Sequence, residues 1–138
     1  MVEKESPGRA GLVVAREGWH LGVVGIVAAR LVEKFGRPAI VLELKDGVAK
    51  GSGRTLPSLS LYESMSELRP LMSRFGGHHA AIGLTMDEQN LKQFSQGFDE
   101  SVRRRLPHPS RKRTRVDALI GIDEIDLKLL QQLSLLAP

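Results

Sequence analysis

Residues 39–54 read AIVLELKDGVAKGSGR, and this stretch decides the fold. The apolar run from Ala39 to Leu44 predicts a buried strand. Asp46-Gly47 suits a two-residue hairpin turn, because both turn positions need a positive φ. We therefore expect Val48 to Gly53 to pair back on the first strand, which places a β-hairpin at the centre of the domain.

A strand and a helix are predicted before this hairpin. The short apolar run from Leu12 to Ala15 is a candidate strand. Gly36 and Pro38 then follow in the order typical of a helix C-terminus. Between these two signals, apolar residues recur at helical spacing at Val24, Val27, Ala28, Leu31 and Phe35.

Short helices and another strand are predicted after the hairpin. Ser60 and Glu63 form a capping-box pattern that starts a helix. Pro70 suits the first position of a second short helix running to Phe75, which Gly76-Gly77 would end. The alternating stretch from His79 to Met86 predicts a strand that begins at the histidines.

The last element of this domain is a longer helix. Thr85 and Glu88 form another capping-box pattern, and four apolar residues follow at helical spacing: Leu91, Phe94, Phe98 and Val102. Helices and strands thus alternate, and a hairpin interrupts the alternation. The predicted fold class is α/β, a mixed β-sheet flanked by helices.

The positive charge is concentrated in one segment. The chain of 138 residues carries 20 basic and 16 acidic residues. Seven of the basic residues lie between positions 103 and 115: Arg103, Arg104, Arg105, Arg111, Lys112, Arg113 and Arg115. The rest of the chain therefore has 13 basic and 16 acidic residues. Pro107 and Pro109 forbid a continuous helix between positions 103 and 115. The segment is either a solvated connector or a strap that contacts a nucleic-acid backbone.

These patterns divide the chain into four parts. Residues 1–9 form a polar tail, residues 10–103 one domain and residues 104–115 a basic linker. In residues 116–138 we expect the start of a further, incomplete domain, with a strand from Thr114 to Ile120 and a helix from Asp126 to Leu135. This would make the chain a piece of a longer protein. The lack of cysteine suits a reducing, cytoplasmic setting, and no apolar run is long enough to cross a membrane.

Three glycine-rich elements with basic side chains are candidate anion sites. Ser52, Gly53 and Arg54 form the first, and Gly76, Gly77 and His78 the second. Glycine lets backbone N–H groups approach an anion, and a guanidinium matches phosphate oxygens. Trp19 and His20, which follow Gly18, form the third element.

Each element also has a structural interpretation. Arg54 could close a hairpin and pair with a surface carboxylate, and Gly76-Gly77 could simply end a helix. Trp19 could pack in the core or at a domain interface. His20, His78 and His79 without cysteine or an acidic cluster make a poor metal site, so no metal ligand is predicted.

Three motifs resemble signatures of the bacterial RecJ exonucleases. They are GWHLGVVGIVAARL at residues 18–31, KGSGRT at residues 50–55 and FGGHHAAIGL at residues 75–84. Together, in this order, they resemble the DHH-associated domain that follows the catalytic DHH core in that family, over about residues 10–103. Residues 116–138 more weakly resemble the linker and start of the oligonucleotide-binding barrel.

The resemblance implies a parent enzyme that digests single-stranded DNA from 5′ to 3′. Its two divalent metals, Mn²⁺ or Mg²⁺, would sit in the DHH core. The Asp-His-His tripeptide does not occur in this chain, so we predict no cofactor and no hydrolysis by the chain alone. Its expected partners are single-stranded DNA, that core and that barrel.

The resemblance also assigns roles to the candidate residues. Arg54 would bind a phosphate with the help of Ser52 and the loop backbone. His78 would contact the phosphate near the scissile bond, with close approach permitted by Gly76 and Gly77. Trp19 would stack on a base, and His20 would hold a phosphate or orient a loop.

Two other functions stay open at this point. One is substrate binding in a DHH-family phosphodiesterase that acts on short oligonucleotides or cyclic dinucleotides. The other is a protein-interaction module whose basic segment binds an acidic partner.

Overall fold

A mixed five-stranded sheet forms the centre of the molecule. The computed structural model describes residues 8–106 and 116–135. The strands are β1 (Leu12–Glu17), β2 (Ala39–Lys45), β3 (Val48–Arg54), β4 (Arg74–Gly77) and β5 (Ala81–Asp87). They lie in the order β1-β2-β3-β5-β4, with β1 and β2 parallel and the other pairs antiparallel. The mixed sheet predicted from the sequence is confirmed.

Four α-helices accompany the sheet within the described residues. They are α1 (Leu21–Phe35), α2 (Leu61–Ser66), α3 (Leu91–Arg105) and α4 (Leu127–Ser134). Single 3₁₀ turns occupy Arg69–Leu71, Glu88–Asn90 and Ile122–Glu124. None of the helices in the described ranges is long and apolar enough to cross a bilayer.

Different helices pack on the two faces of the sheet. On one face, Val24 and Ala28 of α1 pack against Val41 of β2. The other face carries the larger core, in which Phe94 and Phe98 of α3 are fully buried and their rings stack 6.4 Å apart. Alternation along each strand therefore decides which residues lie beneath α1 and which lie beneath α2 and α3.

The predicted hairpin and the end of α1 are confirmed. Asp46 and Gly47 have φ values of 50° and 75°, as a tight hairpin turn requires, and they join β2 to β3. Gly36 adopts a left-handed conformation at the C-terminus of α1, and its N–H donates to the carbonyl of Val32.

The predicted helix from Pro70 to Phe75 is wrong. Pro70 is the second residue of a single 3₁₀ turn, Arg69–Leu71, and Phe75 lies in β4, where it pairs with Leu84 of β5. Gly76 and Gly77 therefore belong to a strand and do not end a helix.

The start of α3 also differs from the prediction. Thr85 lies inside β5, and the side chain of Asp87 instead accepts a hydrogen bond from the N–H of Gln89. A 3₁₀ turn at Glu88–Asn90 then leads into the helix. The residues predicted to face the core, from Phe94 to Val102, do so.

The C-terminal part differs from the predicted linker and strand. Helix α3 runs through Arg105, so the first two residues of the predicted 104–115 linker are helical. Val116 to Ile120 form no strand, and the predicted helix appears as α4 with Asp126 at its N-terminus. Residues 1–7, 107–115 and 136–138, which include most of the predicted tail and linker, lie outside the described residues.

Candidate nucleic-acid interface

The guanidinium of Arg54 is held by uncharged partners. Its Nη1 donates to the hydroxyl of Ser52 at 2.7 Å and to the carbonyl of Gly53 at 2.8 Å. The Ser52 hydroxyl donates in turn to the carbonyl of Ile82 at 2.9 Å. Within the described ranges no carboxylate pairs with Arg54, so the expected alternative of a surface ion pair is not seen. The guanidinium is thus oriented while its charge stays available.

A glycine of α1 makes room for this guanidinium. A Cβ added at Gly25 would lie 2.9 Å from Nη2 of Arg54 and 3.5 Å from the hydroxyl of Ser52. Glycine inside a helix costs about 1 kcal/mol relative to alanine, so its presence here has a local reason. Gly25 was not among the predicted site residues, and its contact with Arg54 was not anticipated from the sequence.

Beside Ser52, the sheet presents a surface without side chains. Ser52 of β3 pairs with Gly83 of β5, and Gly83 pairs with Gly76 of β4, so the three lie side by side on one face. A Cβ added at Gly76 would meet nothing within 4 Å, and one at Gly83 would meet only a carbonyl oxygen at 4.0 Å. We call this surface, centred on Ser52, Gly83 and Gly76, the open face. Gly83 was not among the predicted site residues.

The other glycines of the two motifs have structural roles. A Cβ at Gly53 would lie 2.9 Å from Ile82 and 3.0 Å from Leu61 in the core, on the opposite side of the sheet from Arg54. Gly77 has a φ of 145°, and a Cβ there would lie 2.3 Å from the carbonyl oxygen of Ala81. Core packing explains the first glycine, and backbone conformation explains the second.

His78 lies in the loop between β4 and β5, whereas the sequence predicted a strand that begins at the histidines. Its N–H donates to the carbonyl of Ala81 at 2.9 Å, and its Nδ1 accepts from the N–H of Ala80 at 3.3 Å. Ala81 is also the register partner of Arg54. The structure therefore brings His78 and Arg54 to the same end of the sheet, on either side of Ala81, and the His78 side chain is exposed.

Trp19 and His20 lie at the opposite end of the sheet. They follow β1, which runs parallel to β2, so they share an end with the Asp46-Gly47 turn. Trp19 is half-buried against the α1 core cluster, and the Nδ1 of His20 accepts from the N–H of Gly22 at 3.0 Å. The contacts that the structure shows are packing for Trp19 and helix capping for His20, and Gly25, which faces the Arg54 guanidinium, lies five residues after His20 on the helix that His20 caps.

The arginines that end α3 are engaged in ion pairs. Arg104 and Arg105 both pair with Glu67, which follows α2, and Arg103 pairs with Asp99 at 3.0 Å. The hydrogen bond from Arg105 is the main cause that lowers the pKa of Glu67 below its ordinary value. Three cations of the basic stretch 103–115 are therefore engaged in ion pairs within the domain.

Unlike the arginines of α3, the cations on the Arg54 side of the sheet are not engaged in ion pairs within the described residues. Lys50, Arg54 and Arg74 form no ion pair in residues 8–106 and 116–135. The same ranges hold no group of three or more histidine, aspartate or glutamate side chains arranged for a metal ion. The chemistry that this surface offers is the binding of anions by oriented cations beside strands that carry no side chain at Gly76 and Gly83.

Comparison with known proteins identifies the family of this domain. The DHHA1 domain model matches residues 9–104. The chain is 36% identical over 144 aligned positions to the single-stranded-DNA-specific exonuclease RecJ of Bacillus subtilis, covering 100% of this chain and 18% of that protein. It is 42% identical over 97 positions to the Escherichia coli RecJ, covering 67% of this chain and 17% of that protein.

A solved structure shows the same fold. The crystal structure of Thermus thermophilus RecJ in complex with Mn²⁺ superposes with a TM-score of 0.76 at 28% identity, covering 100% of this chain and 20% of that one. The chain thus spans about a fifth of the length of the proteins it resembles. With its three motifs, its five-stranded mixed sheet and the matched domain model, the chain belongs to the DHHA1 domain family.

Proposed function

We propose that this chain grips the phosphate backbone of single-stranded DNA beside the metal-bearing core of a RecJ-like exonuclease. One observation carries the proposal: Arg54 is fixed by Ser52 at the edge of the open face and has no carboxylate partner among the described residues. A phosphate can approach the bare backbone at Gly83 and Gly76 closely and accept from the guanidinium at the same time.

His78 completes the grip at the same end of the sheet. Its exposed imidazole lies in the loop after β4, on the other side of Ala81 from Arg54. In the whole enzyme it would donate to the phosphate near the scissile bond and stabilise charge on the phosphoryl oxygens. Gly76 contributes open space, whereas Gly77 shapes the loop that carries His78.

The chemical step is assigned to the rest of the parent protein. We infer 5′-to-3′ digestion in the cytoplasm by a DHH core that uses Mn²⁺ or Mg²⁺, and an oligonucleotide-binding barrel as the third partner. Support comes from the relatives, which are named single-stranded-DNA-specific exonucleases, and from RecJ crystal structures in complex with Mg²⁺ and with Mn²⁺. The same names favour DNA over short oligonucleotides or cyclic dinucleotides as the substrate.

The interaction-module alternative is less well supported. It requires the basic segment to meet an acidic partner, yet Arg103, Arg104 and Arg105 already pair with carboxylates of this chain. Those arginines would have to give up their partners before they could bind another protein.

Replacing Arg54 with alanine tests the proposal. In the full chain, Arg54→Ala should weaken binding of a labelled single-stranded oligonucleotide by about tenfold, the effect of losing a charged hydrogen bond. Arg30→Ala is the matched control, because Arg30 is 80% exposed on α1 and pairs only with Glu33. Fluorescence anisotropy measures both affinities, and the affinity of the control should stay within about twofold of the wild type.

Two further measurements, of melting temperature and of cleavage rate, complete this test. The melting temperature of Arg54→Ala should stay close to that of the wild-type chain, since Arg54 is only half-buried and its partners are an uncharged hydroxyl and a carbonyl. In the full-length enzyme the same change should slow cleavage. Equal affinities for Arg54→Ala and Arg30→Ala, or a sharp fall in melting temperature for the first, would make Arg54 a structural residue and refute the proposal.

A further inference from the structure

A second row of residues, which includes two cations, lies next to the row formed by Ser52, Gly83 and Gly76. Lys50 of β3 pairs with Thr85 of β5, and Thr85 pairs with Arg74 of β4. Residues that pair directly across antiparallel strands project from the same face. Lys50 is two residues before Ser52, so this row shares the face on which Ser52 and Arg54 lie.

Both cations of this row are exposed and unpaired. Neither Lys50 nor Arg74 takes part in an ion pair or a side-chain hydrogen bond within the described parts of the chain, and the residue between them is a neutral threonine. Lys50 and Arg74 stand two strands apart, a spacing of about 10 Å between backbones. Two like charges that flank a neutral site favour an anion between them.

Two carboxylates, on β2 and at the end of β5, border this row of cations. Glu43 of β2 is the cross-strand neighbour of Lys50 but forms no ion pair with it. Asp87 lies two residues beyond Thr85, where its carboxylate accepts from the N–H of Gln89 at 3.0 Å. An anion is therefore attracted to the surface between Arg54 and Lys50, and it is repelled by the carboxylates of Glu43 and Asp87 that border this surface.

We propose that Lys50 and Arg74 bind a second phosphate of the DNA strand whose first phosphate is held by Arg54. This inference rests on the proposed function and extends it from one phosphate to a path. The first phosphate would lie at Ser52, whose hydroxyl holds the Arg54 guanidinium, and Lys50 is two residues from Ser52 along β3, which is about 6.6 Å. That step is close to the separation of consecutive phosphates in an extended single strand, so the strand would run along β3 over the open face.

Salt dependence of binding tests the second row. The experiment uses the full chain and an oligothymidylate of about a dozen nucleotides, long enough to cover both rows. Affinity is measured by anisotropy between about 50 and 200 mM salt for the wild type, Lys50→Gln, Arg74→Gln and the double variant. The double variant should lower the slope of log affinity against log salt by about 0.7, the value for one phosphate contact on a single strand, and each single variant should lower it by part of that amount.

Charge-preserving variants and a distant cation control the experiment. Lys50→Arg and Arg74→Lys should restore the wild-type slope, because a phosphate contact needs the charge more than the exact side chain. Arg30→Gln, on the outer side of α1, should leave the slope unchanged. Circular dichroism melting confirms that each variant is folded.

The outcomes separate this inference from the proposal on which it rests. If Arg54→Ala weakens binding while Lys50→Gln and Arg74→Gln keep the wild-type slope, the second row is refuted and the Arg54 grip stands. If Arg54→Ala has no effect but the two glutamine variants reduce the slope, Lys50 and Arg74 contact DNA, but the Arg54 grip and the path that starts from it are refuted. If the wild-type chain binds no oligothymidylate at about 50 mM salt, both are refuted.

Discussion

Two neighbouring glycines of the FGGHH motif have opposite reasons for being glycine. Gly77 has a φ of 145° and no room for a Cβ, whereas Gly76 has open space in front of it. The sequence alone presents them as an equivalent pair. Only the structure separates the glycine that shapes the backbone from the one that leaves the surface bare.

This contrast predicts different effects of the same substitution. Gly77→Ala should destabilise the chain by about 3 kcal/mol or more, because it combines a left-handed conformation with a backbone clash. Gly76→Ala should change stability by no more than about 0.5 kcal/mol, yet it should weaken binding of single-stranded DNA by covering the open face. Urea denaturation and anisotropy measure the two quantities. Similar losses of stability at both positions would contradict this account of the motif.

At the scale of whole elements, local sequence signals were reliable where the element depends on its own residues. The helix after His20, its end at Gly36 and the Asp46-Gly47 turn are local features, and all three appear as predicted. Strand β4 was missed because its four residues are defined by pairing with β5. In the sequence, Pro70 resembles a helix start and Gly76-Gly77 resemble a helix end.

The candidate site was predictable in part for the same reason. Arg54 and Ser52 were found because they lie two residues apart on one strand, a spacing that is visible in the sequence. Gly83 and Gly25 were missed because their relation to Arg54 depends on strand register and on the position of α1 over the sheet. Trp19 packs against the α1 core cluster, as one of its two sequence interpretations expected, and its role in base stacking stays a prediction.

The contact between α2 and α3 predicts a pH dependence. Glu67 accepts from Arg104 and Arg105, and the hydrogen bond from Arg105 is the main cause of its lowered pKa. A carboxylate with a lowered folded-state pKa stabilises the fold fully above its unfolded-state pKa. That stabilisation is lost as the pH falls through the folded-state value.

Replacing Glu67 with glutamine isolates this effect. Glu67→Gln should melt below the wild type at pH 7, and the difference should shrink as the pH is lowered through the acidic range in which Glu67 takes up its proton. Glu100→Gln is the control, because Glu100 is exposed on α3 and forms no ion pair in the described residues. A gap between Glu67→Gln and wild type that stays constant with pH would show that packing, not charge, links the two helices.

For the whole molecule, the core and the C-terminal segment are energetically separate. Every buried hydrophobic side chain of the described residues lies between Leu12 and Val102. Helix α4 buries none of its residues, and its leucines are largely exposed, with Leu127 at 78% and Leu133 at 51%. Burial of apolar surface is the main source of folding free energy, so among the described residues that source lies between Leu12 and Val102.

A chain shortened to residues 1–106 should therefore keep its stability. Its free energy of unfolding should stay within about 0.5 kcal/mol of the full chain, since no described core contact is removed. Loss of the four basic residues between 111 and 115 should flatten the salt dependence of DNA binding if that segment contacts phosphates. Arg54→Ala should weaken binding by the same factor in both chain lengths, because separate sites contribute additively. An Arg54 effect present only in the full chain would mean that the basic segment, and not the open face, positions the strand.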